Sequence, residues 1–398
     1  MDIILSNMSL ATQVLERQEG HAQAVREHLS TYARLTNGDL GLILQLLQPL
    51  NDAVVDAGEK VAEFSGKAFG AGAEKMTQTR EIYLEADRQA YEAASAVAST
   101  LGASVPAYST PASPTLGGAQ QSAPSRYDDA DGNLLNQAFW DGYSMAEWAD
   151  GVGEQAGGRV ADGLSSSRSV SEIVDVRSYL PAPHAEDPEI ESIRWKAGVI
   201  FGSVDWLFEQ LAGFSLLEEA TKPFAGNWVR MREASFAWTH TGDALKGLGQ
   251  NAMGLLPPMS SWTGRGSEAF LAAAGVMSQV HTVAAGPAGT VSTALKAIVM
   301  LSKEIAGLIL KVLKNLERKL MRMAAEAAVP LVGWAAAAVE AGFAVYDLIN
   351  YAMTIYKWLN RIYDLVSGMA SSVADVADNY FRMADLYEGL VRGAAARV

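Results

Sequence analysis

A long run of apolar residues spaced three or four apart constrains the fold of this chain more than any other feature. The members of the run are Leu295, Ile298, Leu301, Ile305, Leu308, Val312, Leu316, Leu320 and Met323. This spacing places their side chains on one face of an α-helix. No alternation of apolar and polar residues competes with it in the second half of the chain. The sequence therefore predicts an all-α protein.

The first hundred residues predict a helical hairpin. Segment 36–41, TNGDLG, carries turn residues expected where a helix ends, and the returning arm is expected to break or kink near Pro49. A hairpin of two helices buries too little apolar surface to be stable alone, so it needs a partner, either another chain or the C-terminal half. In the first arm, apolar residues recur at helical spacings at Leu10, Val14, Val25, Leu29, Tyr32 and Leu35.

Composition divides the chain into three parts. Residues 1–101 form the hairpin module, and residues 102–187 are rich in Pro, Gly, Ser and acidic side chains, which predicts a flexible or partly ordered linker. Residues 188–398 return to helical patterns, with a helix that closes at Pro257-Pro258 and another that restarts after Gly264. We therefore expect elongated helical hairpins or a bundle, in two helical modules joined by a Pro/Gly-rich linker.

Charge and cysteine content narrow the classes of function. The formal net charge is −14 with no long basic run, which argues against nucleic acid as a partner. The chain contains no cysteine, which excludes disulfides and cysteine-based metal sites. Its first twenty residues have no basic region and no small-residue cleavage site, so they do not resemble a secretory signal. If the protein leaves the cytoplasm, we expect a route without a cleaved leader.

Patterns that carry enzymatic chemistry are weak. The five histidines are scattered, none forms H-E-x-x-H, and each is expected to be a surface or core residue. The Gly-rich segment 151–158 does not have the G-x-G-x-x-G spacing and follows no strand pattern, and the acidic segment 128–133 lacks both end ligands of a calcium loop. We therefore predict no catalytic residue, cofactor or metal site. An enzyme whose site is assembled from scattered carboxylates stays open as an alternative.

The C-terminal region leaves a membrane-active protein open as a further alternative. A basic stretch, 311–322, precedes the nearly all-apolar segment 324–366, an order suited to anionic lipid headgroups followed by insertion. Glu326, Glu340 and Asp347 interrupt the apolar segment before the roughly 18–20 residues that span a bilayer, so we favour a buried core helix. The candidate lipid contacts are Lys311, Lys314, Arg318, Lys319 and Arg322.

Two short motifs remain. Tyr83 and Asp87 form Y-x-x-x-D, and their i,i+4 spacing places both side chains on one helix face. Trp262 and Gly264 form W-x-G between a Pro-Pro pair and a helical run. A second W-x-G begins at Trp140, but it lies in the Pro/Gly/acidic region without long flanking helices. The context favours Trp262, and the choice between the two tryptophans stays open.

These segments resemble substrates of type VII secretion. The helical module that ends in IYLEADRQAYEAA, residues 82–94, resembles the EspC-type substrates of actinobacterial type VII (ESX) secretion. The segment SSWTGRGSEAF, residues 260–270, resembles the W-x-G turn of the WXG family of secreted helical hairpins. Residues 215–270 are also similar to a helical region near the start of many large type VII effectors. The resemblance covers residues 1–100 and roughly 190–300.

The resemblance implies a function. In these families the W-x-G turn and the Y-x-x-x-[DE] motif lie close together in a four-helix assembly and form a composite export signal, usually split between two chains. Matched by position, Tyr83, Asp87, Trp262 and Gly264 would supply that signal within one chain. The first hairpin would then pack against the helices that flank Trp262. One departure from the pattern is that the first hairpin has no W-x-G in its own turn.

The resemblance also implies partners and a location. The expected partners are a type VII secretion ATPase or chaperone, or a small WXG-family protein, and a homo-oligomer stays open. The expected location is secreted or in the cell envelope, without a cleaved signal peptide. A second departure is that Asp385 follows Tyr380 by five residues instead of four, so the C-terminal segment is not a second clean signal.

Overall fold

The computed structural model describes three ranges of the chain and a few single residues. The ranges are 2–124, 169–185 and 227–327, and the single residues are 357, 360, 364, 378, 380 and 382. The described part is 78% helical and contains no strand, so the prediction of an all-α protein is confirmed. The predicted boundaries at residues 102 and 188 stay predictions.

The first hairpin consists of two long helices. Helix α1 (Asp2–His28) continues into a π-helical turn (Leu29–Ala33). Helix α2 (Asn37–Leu44) and a 3₁₀ turn (Gln45–Leu47) then lead into helix α3 (Gln48–Thr100), which packs along α1. The predicted break near Pro49 is present as the change from the 3₁₀ turn to α3, with the proline in the first turn, where its missing N–H has no helical partner to lose.

Segment 36–41 begins a helix instead of ending one. The side chain of Thr36 accepts a hydrogen bond from the N–H of Asp39 at 3.3 Å, and the Asp39 carboxylate accepts one from the N–H of Thr36 at 2.9 Å. This reciprocal pair satisfies backbone donors at the start of α2. The first helical stretch therefore ends at Ala33, before this segment.

The second hairpin packs helix α4 (Trp228–Gly254) along helix α6 (Arg265–Ala327). The short helix α5 (Leu256–Met259) lies between them and holds the Pro-Pro pair in its first turn. The predicted restart after Gly264 is thus confirmed, whereas α4 already ends at Gly254 and the Pro-Pro pair begins α5 instead of closing α4. For residues 301–327 the structure describes only the backbone. Burial of the apolar stripe is therefore established for its first two members, Leu295 and Ile298.

The two hairpins share one apolar core. Helices α1 and α4 pack against each other and join the hairpins. Trp238 of α4 is fully buried and its ring stacks against that of Tyr380 at 6.2 Å, while the Tyr380 hydroxyl donates to the carbonyl of Ala284 at 3.0 Å. Other large, fully buried side chains of this core are Leu5, Met8, Leu29, Phe69, Met231, Leu245 and Leu248.

The C-terminal part of α3 extends past this core. Met76 is its last buried residue, although the helix continues to Thr100. After α3 the chain reverses at Gly102, whose φ of 74° suits glycine, and returns in extended form along the first hairpin. Leu116 marks this return path, because its N–H donates to the side chain of Gln13 on α1 at 2.9 Å.

Candidate functional site

Trp262 lies in the connection between α5 and α6, where it is 6% exposed. Its N–H donates to the carbonyl of Met259 at 3.0 Å, and its carbonyl accepts from the buried hydroxyl of Ser267 at 2.6 Å. Its indole ring lies 6.1 Å from that of Phe270 in a tilted arrangement. These contacts fix the backbone and the ring, so Trp262 is a rigid part of the turn and not a free surface side chain.

Gly264 gives the turn its direction. Its φ is 107°, a conformation that an L side chain rarely adopts. A β-carbon at this position would meet no atom within 4 Å, so the requirement for glycine comes from backbone conformation and not from lack of space. The carbonyl of Gly264 accepts from the N–H of Glu268 at 3.1 Å, which starts the hydrogen-bond ladder of α6. Gly264 thus couples the turn to the first residues of α6.

The two motifs meet in space. The indole Nε1 of Trp262 donates to the hydroxyl of Tyr83 at 3.3 Å. Tyr83 is partly buried and packs against the shared core. A second contact holds the hairpins together nearby, because Asn7 of α1 donates to the carbonyl of Pro258 at 3.0 Å. The expectation that the first hairpin packs against the helices flanking Trp262 is therefore confirmed.

Asp87 lies one helical turn beyond Tyr83 and contacts the returning chain. The hydroxyl of Tyr108 donates to the carboxylate of Asp87 at 3.3 Å. The ring of Tyr108 also lies 5.3 Å from that of Tyr91, whose hydroxyl donates to the carbonyl of Pro106. No pattern in the sequence predicts the contact between Tyr108 and Asp87, because it joins a helix to a segment without helical or strand periodicity. Asp87 is thus tied to its own chain and not simply open to solvent.

The structure brings Tyr83, Trp262 and Gly264 together, with Asp87 on the same helix a turn away. Trp140, the competing W-x-G tryptophan, lies outside the described residues, so the choice between the tryptophans stays open. The basic cluster 311–322 lies in α6, where the structure describes the backbone only. Segments 128–133 and 151–158 also fall outside the described ranges.

Four of the five histidines are buried where the helices meet. The Nδ1 of His281 lies 2.7 Å from the carbonyl of Met277, which can only accept, so Nδ1 carries the proton. The Nε2 atom is then left to accept from the hydroxyl of Ser65 on α3 at 2.6 Å. Burial lowers the pKa of His281 to about 4, and burial together with neighbouring His240 lowers that of His28 to about 4. His28 and His281 are therefore neutral core residues, and their contacts with His240 and Ser65 lie between the two hairpins.

Two further properties bear on function. Among the described residues no group of three His, Cys, Asp or Glu side chains is arranged to hold a metal ion. One described segment, Arg265–Met300, is long and apolar enough to cross a membrane, but 44% of its most apolar window is buried inside the protein. A core helix passes the same test, so this segment is weak support for a membrane span.

Comparison with known proteins gives no relative for this chain. No protein-family model, no curated protein and no solved structure matches it.

Proposed function

We propose that this protein is a non-enzymatic substrate of a type VII (ESX) secretion system and that one chain supplies both halves of its export signal. The signal consists of Tyr83 and Asp87 from the first hairpin and Trp262 and Gly264 from the second. The hydrogen bond between the Trp262 indole and the Tyr83 hydroxyl is the observation that carries the proposal.

The contact between the hairpins supports an intramolecular signal. In the families that the chain resembles, two partner chains usually bring the two motifs together. Here α1 and α3 stand in the place of one partner, and α4 and α6 in the place of the other. The four long helices share a core, so a small WXG-family protein is not needed to complete the assembly. The partner that we propose is the secretion ATPase or a chaperone.

The position of the signal also suggests how a receptor reads it. Tyr83 and Trp262 lie 179 residues apart in the sequence and meet only when both hairpins are folded and packed. A receptor that binds the surface held in place by this pair therefore recognises the folded chain and not either motif alone. The projecting end of α3 beyond Met76 offers such a receptor an accessible helix beside the pair. Export then serves as a test of correct folding.

The proposal is tested by secretion in the native host. Wild-type protein should reach the culture filtrate when the type VII apparatus is present and stay in the cells when its ATPase is deleted. An unrelated protein carrying a cleaved Sec signal serves as the control, because its secretion should not change. Equal amounts of this protein in both filtrates would contradict the proposal.

A further inference from the structure

Residues 169–180, which we call the strap, lie against α1 and α4. Within the strap, burial alternates as it does in a β-strand, although no strand is present in the described part of this protein. The partly exposed residues between the buried ones include Ser171, Ile173 and Asp175. The buried residues are Val170, Glu172, Val174 and Val176. The strap is thus an extended peptide in which buried side chains alternate with partly exposed ones.

Helix α4 provides the floor of the groove. Gly247, Asn251 and Gly254 follow one another at spacings of four and three residues, which places them on one helix face. A β-carbon on Gly254 would lie 2.7 Å from the side chain of Ile173, and one on Gly247 would lie 3.2 Å from that of Val176. The glycines therefore leave the space in which the strap lies.

Asn251 binds the backbone of the strap. Its side-chain oxygen accepts from the N–H groups of Ile173 at 2.9 Å and Val174 at 2.8 Å, and its amide nitrogen donates to the carbonyl of Val174 at 2.9 Å. The same nitrogen donates to Gln18 of α1 at 2.8 Å. Asn251 is fully buried. One buried amide therefore holds an extended backbone and connects it to both hairpins.

Asn251 binds the backbone of the strap, whereas the contacts of Glu172 are made by its side chain and therefore depend on the sequence of the strap. It is 2% exposed and accepts hydrogen bonds from Arg17 at 2.7 Å, Gln18 at 3.2 Å and His21 at 2.7 Å, all on α1. Burial alone would raise the pKa of this carboxyl, but the three hydrogen bonds outweigh burial and lower it. The groove is therefore built for an ionised carboxylate.

Residues 120–121 form the third side of the groove. Gln121 pairs with Val174 as in a parallel sheet. The N–H of Gln121 donates to the carbonyl of Ile173 at 2.9 Å, and the N–H of Asp175 donates to the carbonyl of Gln121 at 2.8 Å. Backbone groups of the strap are thus satisfied on both sides, as in peptides that bind by adding a strand.

We propose that this groove is a binding site for an extended peptide with a buried acidic anchor, and that the strap of a second copy of this chain can replace the chain's own strap. The contacts of a swapped strap would be the same as those seen here, which makes exchange a low-cost route to a dimer. The proposal does not depend on the secretion function.

The concentration of the chain decides which strap occupies the groove. A segment tethered to its own binding site has a local concentration on the order of a millimolar. Wild-type protein at micromolar concentration should therefore keep its own strap and remain a monomer. Exchange between copies becomes competitive when chains are crowded to comparable local concentrations. It is also favoured when one copy has an empty groove and another has a released strap.

The test mixes two variants, one with an empty groove and one with an intact strap that has no groove of its own to occupy. The release variant, Glu172→Lys with Val174→Asp, places a positive charge beside Arg17 and a carboxylate in an apolar position, so its strap leaves an intact groove. The blocked variant, Gly247→Leu with Gly254→Leu, fills the groove but leaves the strap intact, and leucine favours helix α4 more than glycine does. Circular dichroism checks that both keep their helices.

Sedimentation at about 100 μM gives the result, because the only open groove in the mixture belongs to the release variant, whose own tethered strap no longer competes for it. We expect each variant alone to be a monomer and the mixture to form a one-to-one heterodimer. Adding Glu172→Gln to the blocked variant should weaken the heterodimer about tenfold or more, because the charge-assisted hydrogen bonds of the anchor are lost. Folded variants that remain monomeric when mixed would overturn the proposal.

Hydrogen exchange of the wild-type chain tests the same proposal without a variant. The N–H groups of Ile173 and Val174 are bound to Asn251, so they should be protected. If the strap can leave the groove while the helices stay folded, these amides should exchange at least tenfold faster than those of Leu245 and Leu248 in α4. Exchange of all four at the same rate through global unfolding would overturn the proposal.

Discussion

The indole N–H of Trp262 donates a hydrogen bond to the hydroxyl of Tyr83, 179 residues away in the chain. One residue belongs to the turn that opens the second hairpin's long helix, and the other belongs to the returning helix of the first hairpin. Two motifs that are weak signals when taken separately therefore describe one place in the fold.

The hydrogen bond between the two motifs should contribute measurably to stability. We expect Tyr83→Phe to lower the free energy of unfolding by about 0.5–1.5 kcal/mol, because it removes one hydrogen bond and keeps the ring. Trp262→Phe should lower it by more, because it also leaves part of the space of the buried indole empty. Urea unfolding of both single variants and the double variant gives the coupling energy. The double variant should lose less than the sum of the two, and additive losses would show that the pair does not interact in solution.

Replacing Gly264 should strain the turn. We expect Gly264→Ala to cost about 1–3 kcal/mol of unfolding free energy, because φ of 107° disfavours any residue with a β-carbon. Gly289 provides a matched control, since it is an exposed glycine in α6 where an added β-carbon would also meet no atom within 4 Å. Gly289→Ala should stabilise the helix by up to about 1 kcal/mol. Equal effects of the two substitutions would contradict the account of the turn.

Stability should fall as the pH falls below about 6.5, the ordinary pKa of histidine. The pKa values of His28 and His281 are both lowered to about 4 in the folded protein, so between these limits the unfolded chain binds more protons. Their contribution to stability is therefore present above pH 6.5 and is lost as the pH falls toward 4. Each site contributes a slope of up to about 1.4 kcal/mol per pH unit.

Urea unfolding at pH 7 and pH 5.5 measures this effect, in a range where most carboxyls stay ionised in both states. The variant His281→Gln should show a smaller loss between the two values than wild type. The control His184→Gln changes an exposed histidine and should retain the wild-type loss. Identical pH dependence in all three proteins would contradict the assignment of buried neutral histidines.

The membrane alternative predicts binding to lipid, and the preferred account predicts its absence at neutral pH. Purified protein should remain in solution with anionic vesicles at pH 7. Protonation of Glu326, Glu340 and Asp347 would remove the charges that interrupt the apolar C-terminal segment, so any binding should first appear at mildly acidic pH. Vesicle flotation measures this. Binding at pH 7 would contradict the preferred account, and no binding at pH 5 would exclude the alternative.

The sequence predicts the helices and the meeting of the two motifs for identifiable reasons. Helical spacing marks Leu295 and Ile298 as buried, and Gly264 marks the start of the last long helix. Such signals are local and repeat along the chain. The meeting of Tyr83 with Trp262 follows instead from a family resemblance, because no local pattern carries a contact between distant residues.

The features that sequence reasoning missed have physical causes. Burial alternates along the strap, but the polarity of VSEIVDV, residues 170–176, does not, because the buried position 172 is a glutamate and the partly exposed position 173 is an isoleucine. Turn residues in segment 36–41 also suit a helix N-terminus, and only the pairing of Thr36 with Asp39 distinguishes the two. The burial of Tyr380 against Trp238 depends on a return of the chain that no local pattern specifies.

Export of point variants tests the central claim most directly. Trp262→Ala and Trp140→Ala remove the tryptophan from the two competing W-x-G motifs and should be measured beside Tyr83→Ala in the native host. The readout is the fraction of each protein in the culture filtrate, with its cellular level and melting temperature measured in parallel. We predict that Tyr83→Ala and Trp262→Ala stay folded in the cells and lose most of their export, while Trp140→Ala is exported like wild type. Equal export of all four proteins would contradict the account, and so would a loss confined to Trp140→Ala.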